Sequence, residues 1–170
     1  MKEKDIKELI DTIIILVDTR EHLPNHITDA FDKYGVKWER KKLKSGDYSA
    51  ILPANSKFNL DEINLEDQLV IERKMSVDEL ARNLSVNRDR FKREFSRTNS
   101  DVILLIENNT YMDIITHNYN SKLTSNQYMG LLHSLCDEFK IPFIFKDKKE
   151  SPLFIYNVFK YRIRNKLKNI

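Results

Sequence analysis

The feature that most constrains the fold is Ile13-Ile14-Ile15-Leu16-Val17-Asp18, an unbroken aliphatic run that ends on a carboxylate. β-Branched side chains are restricted at χ1 and favour extended backbone. Without polar alternation, neither face of the run suits water, so it reads as a central strand covered on both sides. Asp101-Val102-Ile103-Leu104-Leu105-Ile106-Glu107 has the same character, and Leu69-Val70-Ile71-Glu72-Arg73-Lys74 is a third strand whose apolar part runs into charge.

Helices are expected between these strands. One is predicted from about Leu23 to Tyr34, stopped at Gly35. Val36 to Lys44 reads as a strand, and Ser45-Gly46-Asp47 as a turn into a strand over Tyr48 to Leu52. Residues 53–67 are polar with scattered apolar positions. A loop of that length suggests a functional role, such as touching substrate. Ser76 followed by Glu79 forms a capping-box pattern that opens a helix. Further helices are expected over Asn87 to Thr98, Ser125 to Phe139 and Pro152 to Leu167, with a short strand from Ile141 to Phe145. Strands alternating with helices indicate an α/β fold, a central mixed β-sheet flanked by helices.

The chain has 170 residues, a length suited to one domain. There is no internal repeat, and three glycines with four prolines leave little material for flexible linkers. The expectation is a single domain over 1–170, with its core at about 12–145 and a closing helix over 152–168. No apolar run approaches the ~20 residues needed to cross a bilayer, and the charged start lacks a cleavage-type leader. A cytoplasmic protein is expected, or a nuclear one in a eukaryote. Cys136 is the only cysteine, which excludes an internal disulfide and a thiolate zinc cluster; its apolar neighbours suggest an inert buried thiol.

The net charge of +3 says little, but its distribution says more. Arg82, Arg88, Arg90, Lys92, Arg93 and Arg97 crowd one stretch, and a second basic cluster closes the chain from Lys160 to Lys168. Such patches fit a polyanion; a solvated helix face explains them equally well from charge alone.

Glu72 and Lys74 lie two apart on a predicted strand and share one face, while Ile71 and Arg73 point to the other. Asp18 ends a buried strand, and Asp47 follows a glycine at the start of another. Three acids and a lysine converging at strand ends describe a site for a hard cation. Magnesium takes one or two carboxylates plus waters and substrate phosphate. Such an ion would neutralise a scissile phosphate and acidify water, with Lys74 placed to stabilise developing charge. Singly, an Asp after Gly is an ordinary turn residue, and Glu-Arg-Lys an ordinary exposed run. A charge at the end of a core strand, however, is costly unless paired or used. The combination is the signal.

Val17-Asp18-Thr19-Arg20-Glu21, then Gly46-Asp47-Tyr48, then Ile71-Glu72-Arg73-Lys74 with Asp78 four beyond the lysine, resemble the nuclease signature of the XPF family. The Leu104-Leu105-Ile106-Glu107 strand and the Arg90-Phe91 pair agree with it, so the resemblance covers about residues 12–145. It implies a stand-alone XPF-type nuclease domain with the restriction-endonuclease-like PD-(D/E)XK fold. It further implies DNA phosphodiester hydrolysis with Mg²⁺ or Mn²⁺, in repair, recombination or replication. By motif, Asp18, Asp47, Glu72 and Glu21 would hold metal, Lys74 would act in catalysis beside them, and Arg20 and Arg73 fall on motif positions. For Arg73, strand geometry favours a supporting ion pair or a substrate contact. Asp78 suits the first turn of a helix. DNA contacts are expected from Arg20, Arg88, Arg90 and Lys92. The chain shows no helicase region and no tandem helix-hairpin-helix module, which in the family helps select branched DNA and pair subunits. Preference for flaps or junctions is therefore open.

Two rivals stand beside this reading: a non-catalytic DNA-binding or dimerisation partner of the same fold, and a protein-interaction scaffold. The stripe Leu153, Tyr156, Val158, Phe159 and Ile163 on the closing helix fits core packing, a homodimer contact or a docking face. His22 falls near the signature, while His26, His117 and His133 show no ligand spacing.

Overall fold

A computed structural model describes residues 1–22 and 25–170. The chain opens with α1 (Glu3–Ile10), a helix the charged start conceals although Ile6, Leu9 and Ile10 recur at helical spacing and are buried. Then follow β1 (Ile14–Asp18), α2 (Asn25–Tyr34), β2 (Lys37–Lys41) and β3 (Tyr48–Leu52). Leu23 and Pro24, the expected start of the second helix, lie outside the described residues. After a single 3-10 turn at Ser56–Phe58 come β4 (Ile63–Asn64), β5 (Leu69–Lys74), α3 (Val77–Leu84), α4 (Arg88–Ser96) and β6 (Asp101–Glu107). The remainder is α5 (Tyr111–Ile115), α6 (Ser125–Phe139), β7 (Phe143–Lys146) and α7 (Ser151–Lys168).

The strands form one mixed sheet in the order β2-β1-β3-β5-β6-β7, with β4 paired to the far end of β3. β1 runs parallel to β2 and antiparallel to β3, and β5, β6 and β7 run parallel. Parallel neighbours need crossovers. Helix α2 makes the crossover from β1 to β2; α3 and α4 connect β5 to β6, and α5 and α6 connect β6 to β7. The resulting cores lie on opposite faces of the sheet. One joins Ile6, Ile15, Val17, Phe31, Ile71 and Phe159. The other joins Val70, Leu80, Phe91, Phe95, Ile106 and Tyr128. This is the expected mixed sheet flanked by helices.

Several expectations are narrowed. The strand drawn from Val36 stops at Lys41, because residues 42–46 leave the sheet and Leu43 N–H turns to donate to Asp18. Residues 53–67 are not an open loop. Asn55 caps the 3-10 turn and bridges to Leu60, Lys57 reaches Glu8, and Leu60 and Leu65 enter the core. Since β4 pairs with Ile51 and Leu52, the middle of this segment packs at the end of β3 away from Asp47. Leu60, Leu65 and Glu66 are its buried anchors. Ser76 caps α3 by accepting from Glu79 N–H, but the Glu79 carboxylate accepts from Met75 N–H, one residue earlier than a full box requires. On α7 the inward stripe is Ile155, Phe159, Ile163 and Leu167, all fully buried. Tyr156 and Val158 flank it and Leu153 is 54% exposed. Most of the expected stripe thus packs in the core, with Leu153 left outside it. No helix among the described residues is long and apolar enough to cross a membrane.

One glycine decides how the sheet meets the site. Gly46 has φ +68°, and a Cβ there would sit 2.7 Å from Val70 Cβ. Gly35 shares that φ with nothing within 4 Å. Left-handed backbone costs an L-residue ~1–2 kcal/mol, and overpacking adds ~1–3 kcal/mol. Gly46→Ala should therefore lose about 2–5 kcal/mol in urea denaturation and Gly35→Ala about 1–2 kcal/mol. Equal losses would show that Val70 yields freely.

Candidate active site

The C-terminal ends of β1 and β5 and the start of β3 meet at a cleft of about 630 Å³, walled on one side by α3 and α4. The left-handed turn at Gly46 sets Asp47 across the sheet: its N–H donates to Ile71 O at 2.8 Å, and its carbonyl accepts from Asp18 N–H at 2.8 Å. One Asp47 carboxylate oxygen accepts from Arg73 N–H at 2.7 Å. Alternation along β5 sends Glu72 and Lys74 to the α3–α4 face and Arg73 to the opposite one. Lys74 Nζ lies 2.7 Å from Glu72 Oε1.

The electrostatics follow from burial. Desolvation, then the charges of Glu72 and Glu21, push the Asp47 carboxyl well above the usual aspartate range. Burial raises Glu72 too, with Lys74 only partly offsetting it. Burial opposes charge on Lys74, yet Glu72 and Asp47 hold its ammonium above the ordinary lysine range. Two carboxylates that resist ionisation beside a firmly charged amine are short of positive charge. A cation would supply it.

The structure brings together Asp47, Glu72 and Lys74, but only the edges of the wider acid set. Asp18 is 1% exposed, and its carboxylate accepts from Arg20 N–H, Arg20 Nε, Arg20 Nη2 and Leu43 N–H at 2.7–3.0 Å. Burial works against its charge, but these donors prevail and hold the carboxyl below the usual range. Glu21 is taken by Arg73, whose Nε lies 2.6 Å from Glu21 Oε1 and whose Nη1 lies 2.7 Å from Glu107 Oε2. His26 meets the other oxygen of Glu107 at 3.0 Å. Arg73 is thus the supporting ion pair foreseen from strand geometry, tying β5 to β6 and to the segment after β1. Among the described residues, no three His, Cys, Asp or Glu side chains gather closely enough to hold an ion. Asp18 and Glu21 line the same cleft as Asp47 and Glu72, each paired with an arginine.

What remains fits a magnesium-like ion, which takes few protein carboxylates and fills its octahedron with water and phosphate oxygens. Asp47 and Glu72 are hard oxygen donors facing one cleft, which His22 also lines. Cys136 is buried on α6 with its thiol pushed up to about 11 by burial. His133 meets Tyr111 OH and His117 stacks on Tyr119, so neither is a ligand.

The basic residues divide. Arg20 is 60% exposed at the cleft mouth, and Arg90 lines the wall with a 3.2 Å pair to Glu94. Arg88 is half-buried one turn before Phe91. Lys92 pairs with Glu138 of α6 at 2.7 Å, and neither it nor Arg88 is among the residues lining the cleft. Arg97 does line it, and so do Glu79, Asn83, Asn87 and Glu94, none of them chosen from the sequence as site residues. Glu79 and Asn83 lie four apart on one face of α3, legible once that helix is known to cover the cleft, and Asn87 stands at the start of α4. Asp78 accepts from Asn120 N–H at 2.5 Å and so fastens α3 to the segment before α6.

The sequence profile of the ERCC4 domain matches residues 17–158, most of the chain. The chain belongs to the ERCC4 domain family. Two solved structures of XPF from Aeropyrum pernix, one in complex with DNA, share the fold of this ERCC4 domain. Each has a TM-score of 0.64 at 18% identity over 89% of this chain. The chain spans 65% and 66% of those two chains. No curated protein sequence matches it.

Two measurements check this description of the site. Removing Arg73 would strand two buried carboxylates, so Arg73→Met should cost about 3–5 kcal/mol in denaturant unfolding; a near-neutral result would refute the ion pair. Asp47 binds its proton more tightly folded than unfolded, so folding stability falls as pH rises above the ordinary aspartate value of 3.8 towards the raised folded one. In chelator at neutral pH, Asp47→Asn should therefore melt higher than the parent, with the gain shrinking as pH approaches 3.8. A gain independent of pH would contradict the burial of that charge.

Proposed function

We propose that this ERCC4 domain is a divalent-metal-dependent DNA endonuclease that hydrolyses phosphodiester bonds, with structure-specific cutting of branched, flap or junction DNA as its activity. The observation that carries the reading is the buried Asp47–Glu72–Lys74 group at one end of a sheet shared with XPF. XPF from Aeropyrum pernix has been seen in complex with DNA, which supports DNA as the partner here.

In this mechanism Asp47 and Glu72 would hold a Mg²⁺ or Mn²⁺ ion, with Arg73 N–H fixing the orientation of Asp47. When bound, the ion supplies charge neutralisation for the scissile phosphate and acidifies nearby water. Hydrolysis adds water to phosphorus and breaks one P–O ester bond, leaving a phosphate monoester end and a free hydroxyl end. Negative charge grows on the phosphoryl oxygens as phosphorus becomes five-coordinate. Lys74 keeps its ammonium in a water-poor cleft and donates to those oxygens without reorganising, where such a contact counts for most. Asp18 acts at one remove. It holds Arg20 at the mouth, where the exposed part of the guanidinium meets a backbone phosphate. Arg88 and Arg90 on α4, with Arg97 just after it, supply further phosphate contacts.

Asp47→Asn or Lys74→Ala should abolish cutting of plasmid, flap and junction DNA in Mg²⁺ or Mn²⁺, with DNA binding by anisotropy within about twofold of the parent, since backbone contacts dominate affinity. Parent-like cleavage by both variants would remove the mechanism. Neutralising Arg88, Arg90 and Arg97 together should flatten the dependence of log affinity on log salt by about 0.9 for each phosphate no longer neutralised. Lys92→Ala, directed at Glu138, should leave the slope unchanged.

A further inference from the structure

We infer that Phe91 is a positioning residue for Lys74: its ring face holds the Lys74 ammonium beside Glu72, so position 91 needs an aromatic ring and not merely an apolar side chain. This deepens the hydrolytic reading of the site and rests on it.

Lys74 Nζ lies 4.9 Å from the Phe91 ring centroid, inside the ~6 Å reach of a cation over a ring. An ammonium has three N–H donors and no acceptor. Among the described residues one hydrogen-bond partner meets it, Glu72 Oε1 at 2.7 Å. With the side chain 8% exposed, little water shares the rest of the charge. The electron-rich ring face does. Such contacts strengthen when the cation is desolvated. Lys92–Phe139 and Lys146–Phe154 also join separate elements, but Lys92 is 31% exposed where Lys74 is 8%. Lys74–Phe91 joins a central strand to the helix across the cleft.

The ring is itself fixed. Phe91 is 2% exposed, its centroid lies 4.6 Å from that of Phe95 at 59°, and Phe95 lies 5.8 Å from Phe139 on α6. A flexible four-carbon stem has many rotamers. A rigid aromatic stack reaching from α6 to the cleft selects one, with Nζ pointing at the acids. Leucine at 91 would fill the same apolar space and lack the ring's quadrupole.

The test is a series of full-length proteins with 4-fluoro-, 3,5-difluoro- and 3,4,5-trifluorophenylalanine at position 91. Fluorine drains the ring face and leaves its volume nearly unchanged. Cleavage kinetics in Mg²⁺ and melting temperature are read for each, the latter also in a Lys74→Met background. Stepwise loss of kcat, reaching about three- to tenfold across the series at constant KM, is expected for a desolvated contact of this kind. Melting temperature should fall in step with fluorination in the parent and stay level in Lys74→Met. A flat kcat in protein that cuts DNA overturns the positioning role. Equal melting shifts with and without Lys74 overturn the contact itself. Should the parent cut nothing while the graded, Lys74-dependent melting shift appears, the hydrolytic reading falls and takes the positioning role with it, and the contact alone survives.

Discussion

Charge carried to the end of a buried strand must be matched there, and in this protein that requirement falls on β5. Three consecutive charged residues follow Ile71, and the pleat sends the middle one to the opposite face from its neighbours. Arg73 enters the α1–α2–α7 side, where Glu21 and Glu107 receive it. Glu72 and Lys74 enter the α3–α4 side and pair with each other. Neither side could tolerate its charge alone, because an unpaired buried ion costs several kcal/mol. The double ion pair of Arg73 also holds the Arg73 backbone N–H where Asp47 needs a donor. One arginine thus serves both the sheet and the cleft.

Matching is complete on one face and incomplete on the other. Around Arg73 both carboxylates, Glu21 and Glu107, touch the one guanidinium directly. Around Lys74 only Glu72 touches the amine, and both Glu72 and Asp47 are pushed towards their neutral forms. That imbalance separates a site from a structural ion pair: a buried group left short of a partner is a functional candidate on physical grounds. Asp18 shows the contrast, since four donors satisfy it and its carboxyl is held low.

The wall opposite the acids is built by packing. Phe91 and Phe95 bury one side of α4 against α6, which leaves Asn87, Arg90, Glu94 and Arg97 facing the cleft and turns Lys92 towards Glu138. Asp78 and the Ser76 cap fix the neighbouring α3. The basic stretch from Arg82 to Arg97 is therefore not one patch. Helical rotation shares it between the cleft, solvent and a salt bridge.

Local pattern was enough for β1, β3, β5 and β6, for α6, and for the turn that carries Asp47, because unbroken aliphatic runs, caps and a glycine before an acid act over a few residues. It was also enough to name Asp47, Glu72 and Lys74 and to place Arg73 on the other face, since alternation is a property of the strand alone. Helix α1 and the folded course of residues 53–67 are not legible in this way, as their few apolar positions gain meaning only from the core they join. Tertiary structure alone decided that Arg20 and Arg73 occupy Asp18 and Glu21, that Lys92 leaves the cleft, and that the inner stripe of α7 is core. Each of those outcomes depends on which partner lies within a few ångströms across the fold. Residue order specifies periodicity, whereas the pairing of long, flexible charged side chains is settled only where separate elements meet.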